Sequence, residues 1–533
     1  MEPELEIPEH PPAAPQARRA NWWPRLIAAG AALIAGAGAA VVHSPFSLWL
    51  GLLGYPLLMI LFERAGTGRG AFGLGWLAGF AYFFISCWWV AEAFLVNAEA
   101  HAWMAPFAAS LLPAGLALFW GLAGVLHRRL APRTALRPLF FAAVFCGLEW
   151  LRGHVLTGFP WNPAGAGWAA GSAPSQAAAW LGVYGLGFVT VAAAAALAPL
   201  FGPGSIKARL GVAVLGLVAL GALFVAGEVR LAGARTTLTP TVVRIVQADV
   251  QQQAKWDEAN FNAIVQRYVN LTSRPGAATP DVIVWPEGAL PAVANDVFAG
   301  PVGEAIARAL EPGQVLLAGL SRAEQPDEGG DWRYYNSLFA LHDEGPQLRV
   351  AAVYDKHRLV PFGEYLPLGR LMTRTGLRSL VHVPSDFSAG PRPSPIALPG
   401  PAGAVQPLIC YESLYPGFTG RGQDRPAWIA NVSNDAWFGR TSGPQQHLNL
   451  AAYRAIEEGL PMVRATPTGV SALIDPWGRI DGQQRLEPGE SGVIDARLPA
   501  ALPPTLYARI GDALFFALLA LGLATLVRKR TFP

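Results

Sequence analysis

The chain has 533 residues, of which 52% are hydrophobic and only 14% charged, with a net charge of +3 and a mean hydropathy of +0.31. Soluble globular chains carry about 25% charge, so an ordinary soluble enzyme is excluded, and the hydrophobicity excludes intrinsic disorder. The small net charge gives no electrostatic case for nucleic acid, and three cysteines cannot staple a chain of this length.

Between Leu26 and Gly227, 202 positions hold 13 charged residues and no aspartate. That stretch supplies seven apolar runs, at 26–43, 46–62, 70–95, 103–126, 138–152, 176–200 and 209–227, and an eighth at 508–527 closes the chain. Crossing about 30 Å of hydrocarbon takes roughly 20 apolar residues, so about eight transmembrane helices are predicted. Lysine and arginine gather on alternate connections. Arg18, Arg19 and Arg25 precede the first run, and Arg64 and Arg69 separate the second from the third. Arg128, Arg129, Arg133 and Arg137 separate the fourth from the fifth, Lys207 and Arg209 precede the seventh, and Arg528, Lys529 and Arg530 follow the eighth. The intervening connections 44–45, 96–102 and 153–175 contain neither residue, although Arg152 stands at one edge.

Positive residues mark the cytoplasmic side, which predicts a multi-pass membrane protein with both termini in the cytoplasm and 228–507 on the opposite side. The expected division is a tail 1–25, a seven-helix membrane region 26–227, an outer domain 228–507, a closing span 508–527 and a tail 528–533. The small residues 35–40 also suit a cleaved signal peptide, but the long acidic segment ahead of them argues against it. Within the apolar half, Glu92 and the pair Glu149/Arg152 sit near outer helix ends, where charges pair or reach headgroups. Cys87 and Cys146 read as packing residues, and the pairs Trp22–Trp23 and Trp88–Trp89 as interfacial belts.

From about 240 the pattern changes. Val242–Gln247, Val282–Trp285, Val315–Leu320, Ser337–Leu341, Val350–Tyr354, Pro407–Cys410 and Trp428–Val432 read as short strands bounded by Gly, Pro and Asp. Helical patterns at Asn260–Ser273, Val302–Leu310 and Gln445–Glu458 lie between them. This alternation predicts an α/β domain with a buried sheet. Pro/Gly-rich 387–403 reads as a loop, and 365–386 as a segment that covers a site.

Reactive groups of open α/β sheets lie where strands end. Three runs fit: Val282-Ile-Val-Trp-Pro-Glu287, Tyr354-Asp-Lys-His-Arg-Leu-Val-Pro-Phe-Gly-Glu364 and Leu408-Ile-Cys-Tyr-Glu412. A cysteine is the strongest ordinary nucleophile but is mostly protonated at neutral pH. A carboxylate can take its proton, and a lysine ammonium can stabilise the oxyanion of a tetrahedral intermediate. The trio implies acyl transfer through a thioester. Each member also has a bland alternative: a buried packing thiol, a solvated surface lysine, a helix-capping glutamate. No G-x-S-x-G elbow, P-loop or G-x-G-x-x-G after a strand occurs, and His357 and His447 lack zinc-type spacing.

Taken together, Glu287, Lys356 and Cys410, separated by 69 and 54 residues, resemble the Glu-Lys-Cys triad of the nitrilase (carbon–nitrogen hydrolase) superfamily. The run Asn431-Val-Ser-Asn-Asp-Ala-Trp-Phe438 and the helix with His447 and Arg454 are similar to that family too. The chain from about 25 to 527 resembles a membrane-embedded branch of it, through Glu149-Trp-Leu-Arg-Gly153, Thr157-Gly-Phe-Pro-Trp161, Lys255-Trp-Asp257, Tyr335-Asn-Ser337 and Leu359-Val-Pro-Phe-Gly-Glu364. The resemblance implies an αββα sandwich with Glu287 as base, Lys356 as electrostatic partner and Cys410 as nucleophile. It implies that Glu364 assists Lys356, that Asn336 supports the site, and that Trp256, Tyr411 and Glu412 shape it. It also implies phospholipid-dependent N-acylation of the diacylglyceryl-cysteine of an apolipoprotein, with phosphatidylethanolamine as donor and no metal or cofactor. A membrane-tethered amidase is the alternative. One departure stands out: Pro467 in Arg464-Ala-Thr-Pro-Thr-Gly469 replaces the family's usual asparagine.

Overall fold

The computed structural model describes residues 22–132, 134–326, 330–343, 348–367, 386–419 and 422–526. Most of 365–386, expected to cover a site, lies outside them, as do Arg18, Arg19, Arg133, Arg528, Lys529 and Arg530.

Five helical stretches among the described residues are long and apolar enough to cross a bilayer: Trp23–Val41, Gly68–Leu95, Ala98–Leu130, Pro174–Phe201 and Ile206–Ala232. The other three apolar runs form shorter helices, Gly54–Arg64, Arg137–Arg152 and Ala513–Ala524. Glycines set the helix spacing. At Gly75 an added Cβ would collide with the Trp120 carbonyl, and at Gly79 it would stand 2.9 Å from the Trp120 Cβ. Small residues four apart thus let helices Gly68–Cys87 and Ala105–Leu130 approach closely without a hydrophobic driving force.

The basic connections meet at one end of this bundle. Arg128 donates to the Ala65 carbonyl, Arg137 pairs with Glu63 at 3.1 Å, and Arg209 donates to Leu200 and Gly202. At the other end, Glu149 and Arg152 are both buried but form no ion pair with each other among the described contacts. Instead, Glu149 accepts from the Ala164 amide, while Arg152 donates to the carbonyls of Phe159 and Trp161. The loop between two helices supplies the partners that the sequence reading sought within one. The Trp88–Trp89 reading also divides: Trp88 is exposed, whereas Trp89 is buried against Trp161 and Phe438.

The second half builds two six-stranded sheets, ordered β12-β1-β2-β3-β4-β5 and β11-β10-β9-β8-β7-β6. The strands are β1 (Leu238–Gln247), β2 (Val282–Val284), β3 (Val315–Glu324), β4 (Arg333–Asp343), β5 (Leu348–Asp355), β6 (Ile396–Ala397), β7 (Ala404–Ile409), β8 (Trp428–Val432), β9 (Met462–Ala465), β10 (Ser471–Ile474), β11 (Arg485–Leu486) and β12 (Gly492–Pro499). The centres are parallel (β1–β2–β3 and β7–β8–β9) and the edges antiparallel. Val243, Ile245, Val284 and Leu317 of one sheet pack with Val405, Ile409, Ala430 and Val463 of the other, forming the core between them. Helices Phe261–Thr272 and Pro301–Ala309 cover the first sheet, and helix Gly443–Glu458 covers the second. This is the expected αββα sandwich. Within 387–403, read as loop, Ile396–Ala397 pairs with β7 as an edge strand.

Helix Gly443–Glu458 joins the two halves. It is buried on its sheet face and on its opposite face, where Leu450, Tyr453 and Ile456 enter the core of the membrane helices. Its polar residues satisfy membrane-side groups: Gln446 accepts from Trp161, Asn449 bonds Ala166 and Ala170, and Tyr453 donates to Gly165 and Trp168. Glu457 caps a helix across the junction. Gly182, at φ +66°, breaks the helix Ala178–Ala195, and the freed Val183 amide donates to the Glu457 carboxylate at 2.8 Å.

Candidate active site

Cys410 follows β7 directly and begins the 3₁₀ turn Cys410–Leu414. Its φ of +49° is left-handed, a conformation uncommon for a side chain with a Cβ and found where a site over-determines the backbone. What holds it there is Glu412. This buried carboxylate accepts from the Ile409 amide at 2.8 Å through one oxygen. Through the other it accepts from the Tyr354 hydroxyl at 2.9 Å and from the amides of His357 and Arg358 at 2.8 and 3.2 Å. One side chain therefore ties the cysteine elbow to the turn that carries Lys356.

Lys356 leaves the end of β5 and is 1% exposed, so it is no surface lysine. Its ammonium donates to Glu287 at 3.0 Å and to Glu364 at 2.9 Å. Asn336 on β4 donates to the same two oxygens, both at 2.7 Å. Glu364 is fixed through its second oxygen by the Val360 amide at 2.7 Å, and Glu287 by the Asn434 amide at 2.7 Å. Two carboxylates thus share one ammonium and one amide in a buried cluster.

The electrostatics assign the protons. Burial opposes the charge of Lys356, but Glu287 and Glu364 outweigh it and hold the ammonium above its ordinary pKa. Burial likewise disfavours ionised Glu287, yet Lys356 and the bonds from Asn336 keep its carboxyl below the usual range. Burial, and after it the charge of Glu287, pushes the Cys410 thiol up to about 12. At rest the site holds a neutral thiol beside an ionised carboxylate that hydrogen bonds it. This arrangement suits transfer of the thiol proton to Glu287 as sulfur attacks a carbonyl.

Tyr411 donates to the Gly158 carbonyl at 2.7 Å, linking the elbow to the membrane region. Trp256 is differently placed. It is 41% exposed, with Lys255 over its ring. The neighbouring Lys255 instead reaches inward to the Gly288 carbonyl. Pro467, the departure from the family pattern, accepts from the Val250 amide at 3.2 Å and so ties its loop to the segment that follows β1.

The run 431–438 has no evident task in the sequence alone. In the structure Asp435 is wholly buried between Arg464, at 2.7 Å, and His447, at 2.9 Å. Burial alone would raise its pKa, but Arg464 and His447 hold it at about 2. His447 Nε2 lies 3.2 Å from the Cys410 carbonyl, and Ser433 lowers the Cys410 thiol pKa by hydrogen bonding. Arg464 also donates to Asn431, which donates to the Leu408 carbonyl. This chain buttresses the elbow from behind. No group of three or more His, Cys, Asp or Glu that could hold a metal ion occurs among the described residues.

Residues 35–196 match the family described as apolipoprotein N-acyltransferase N-terminal domain, and residues 243–502 match carbon–nitrogen hydrolase. The chain is 51% identical over 505 residues to the apolipoprotein N-acyltransferase of Caulobacter vibrioides, covering 94% of each. It is 39% identical over 527 residues to that of Rhodopseudomonas palustris, covering 95% of this chain and 96% of the relative. A solved amidase from Nesterenkonia sp. is similar over 54% of this chain and 98% of its own, at 17% identity and a TM-score of 0.35.

Proposed function

We propose a reaction for this chain on the premise that it belongs to the apolipoprotein N-acyltransferase family, as its matched families and curated relatives show. It is a membrane acyltransferase. The reaction runs in two halves at Cys410. In the first, Cys410 Sγ attacks an ester carbonyl of a phospholipid, phosphatidylethanolamine being the expected donor, while Glu287 takes the thiol proton. Lys356 faces the developing oxyanion. The ester C–O bond breaks, the glycerol oxygen takes the proton from Glu287, and a lysophospholipid leaves. In the second, the free α-amine of a diacylglyceryl-cysteine attacks the thioester, Glu287 takes the amine proton and returns it to sulfur, and an amide is released. Atoms balance: ester and thiol give thioester and alcohol, then thioester and amine give amide and thiol.

The observation that carries this reading is the buried cluster of Glu287, Lys356, Asn336 and Glu364 around a thiol that the backbone holds at φ +49°. Five helical stretches among the described residues, long and apolar enough to cross a bilayer, supply the setting for lipid substrates. The outer domain, 228–507, lies on the periplasmic face in this reading, with 26–227 and 508–527 in the inner membrane.

Detergent-solubilised protein given phospholipid and a diacylated lipopeptide should yield a lipopeptide heavier by one acyl chain and one lysolipid per turnover, by mass spectrometry. Release of free fatty acid with no triacylated peptide would identify a hydrolase and overturn the assignment.

A further inference from the structure

Arg358, two residues beyond Lys356, has no task in the chemistry above. Its guanidinium lies over the rings of Tyr415, at 5.1 Å, and Phe418, at 5.9 Å. One Nη donates to the Thr157 carbonyl at 3.4 Å, whereas Nε is buried with no hydrogen-bond partner. Among the described residues no carboxylate lies within ion-pair range of it. A cation stacked on aromatic rings and left without an anion has fixed geometry and unused donors.

Its surroundings are amphipathic. The loop that accepts its hydrogen bond turns through left-handed Leu156 and Thr157, at φ +52° and +75°, and leaves Leu156 95% exposed. Four residues beyond Arg358, Phe362 is half-exposed at φ +64°. Phe418 also lines a cleft of about 230 Å³ with Arg392, Pro393, Gly417 and Thr419. Tyr415 and Tyr411 donate to the Gly158 carbonyl of the same loop, which places this cation on the membrane side of the cysteine elbow.

We infer that Arg358 is a specificity-determining residue that binds the phosphodiester of the phospholipid donor and so sets its ester over Cys410. The inference rests on the acyl-donor reading above. A guanidinium presents paired N–H donors matched to phosphate oxygens, and the apolar side chains beside it suit the glycerol and acyl portions.

The test compares two acyl donors on the full-length protein in detergent. One is phosphatidylethanolamine; the other is p-nitrophenyl palmitate, which carries an acyl ester and no phosphate. With Arg358→Gln, kcat/KM for the phospholipid should fall about 10- to 100-fold, as expected for losing a charge-assisted hydrogen bond, mainly through KM. The p-nitrophenol burst from Cys410 should be unchanged, and Arg358→Lys should recover part of the phospholipid activity. Equal losses with both donors would show a merely structural role and overturn the inference, as would no loss with either. If the unsubstituted protein gives a burst with the nitrophenyl ester and no adduct with phospholipid, the donor reading itself fails. That outcome is visible before any variant is made.

Discussion

The charges around Cys410 fix how its reactivity depends on pH. Glu287 is held below the usual carboxylate range, so it is ionised throughout neutral pH, and the thiol, pushed up to about 12, keeps its proton over the same range. No group of the trio changes charge between about pH 6 and 9, whereas a free cysteine titrates near 8.5. The rate of Cys410 acylation should therefore be flat across that window. A rise with a midpoint near 8.5 would show that a free thiolate, not a thiol–carboxylate pair, is the nucleophile. Glu364→Gln removes one of the two carboxylates on a buried ammonium. Breaking a buried pair costs about 3–5 kcal/mol, so acylation should collapse while the protein still reaches the membrane; near-normal turnover would make Glu364 dispensable. Glu287, Lys356, Cys410 and Glu364 were legible because each is a reactive type at a strand end or a fixed step beyond one. Asp435 and Arg464 were not. They lie 29 residues apart and meet only because β8 and β9 pair in parallel. A charge buried by sheet pairing has no local signature.

Elements were legible in proportion to their length and periodicity. Helices Phe261–Thr272 and Gly443–Glu458 lie within a residue or two of their sequence reading. The strands β9 to β12 were missed, for physical reasons. β11 has two residues, and β12 is an edge strand whose Asp495 and Arg497 break any apolar run while Asp495 pairs with Arg244 of β1 at 2.7 Å. Span lengths followed the same logic. The run 508–527 is divided at Gly511, φ +59°, into Leu506–Ile510 and Ala513–Ala524, and the run 46–62 begins as the 3₁₀ turn Trp49–Leu53. Gly182 marks the junction between the halves. Its φ of +66° is left-handed, and an added Cβ would collide with the Tyr507 ring. Gly182→Ala should therefore cost about 2 kcal/mol or more from backbone strain and overpacking, read as a lower melting temperature in detergent. An unchanged melting temperature would mean that the kink, and the Glu457 cap it exposes, add nothing to the docking of the two halves.

At the scale of the molecule, a membrane bundle and an αββα sandwich share one helix, Gly443–Glu458, which faces the core of each. The basic connections gather around Glu63, Ala65 and Leu200 at one end of the bundle, while Gly158, Gly165 and Trp168 meet the sandwich at the other. With positive residues on the cytoplasmic side, reporter fusions after residue 235 and at the C-terminus should read periplasm and cytoplasm respectively. The same reading from both would refute the topology. The central claim is that the Cys410 thiol takes its acyl chain from a membrane phospholipid. Protein reconstituted into vesicles of acyl-labelled phosphatidylethanolamine, with no lipoprotein acceptor, tests it most directly through mass spectrometry of the Cys410 peptide. The account predicts a hydroxylamine-sensitive acyl adduct on Cys410 with one lysolipid released per adduct. It also predicts that Cys410→Ala loses the adduct and that Cys87→Ala and Cys146→Ala keep it. An adduct on any other residue, or full acyl transfer by Cys410→Ala, would contradict it.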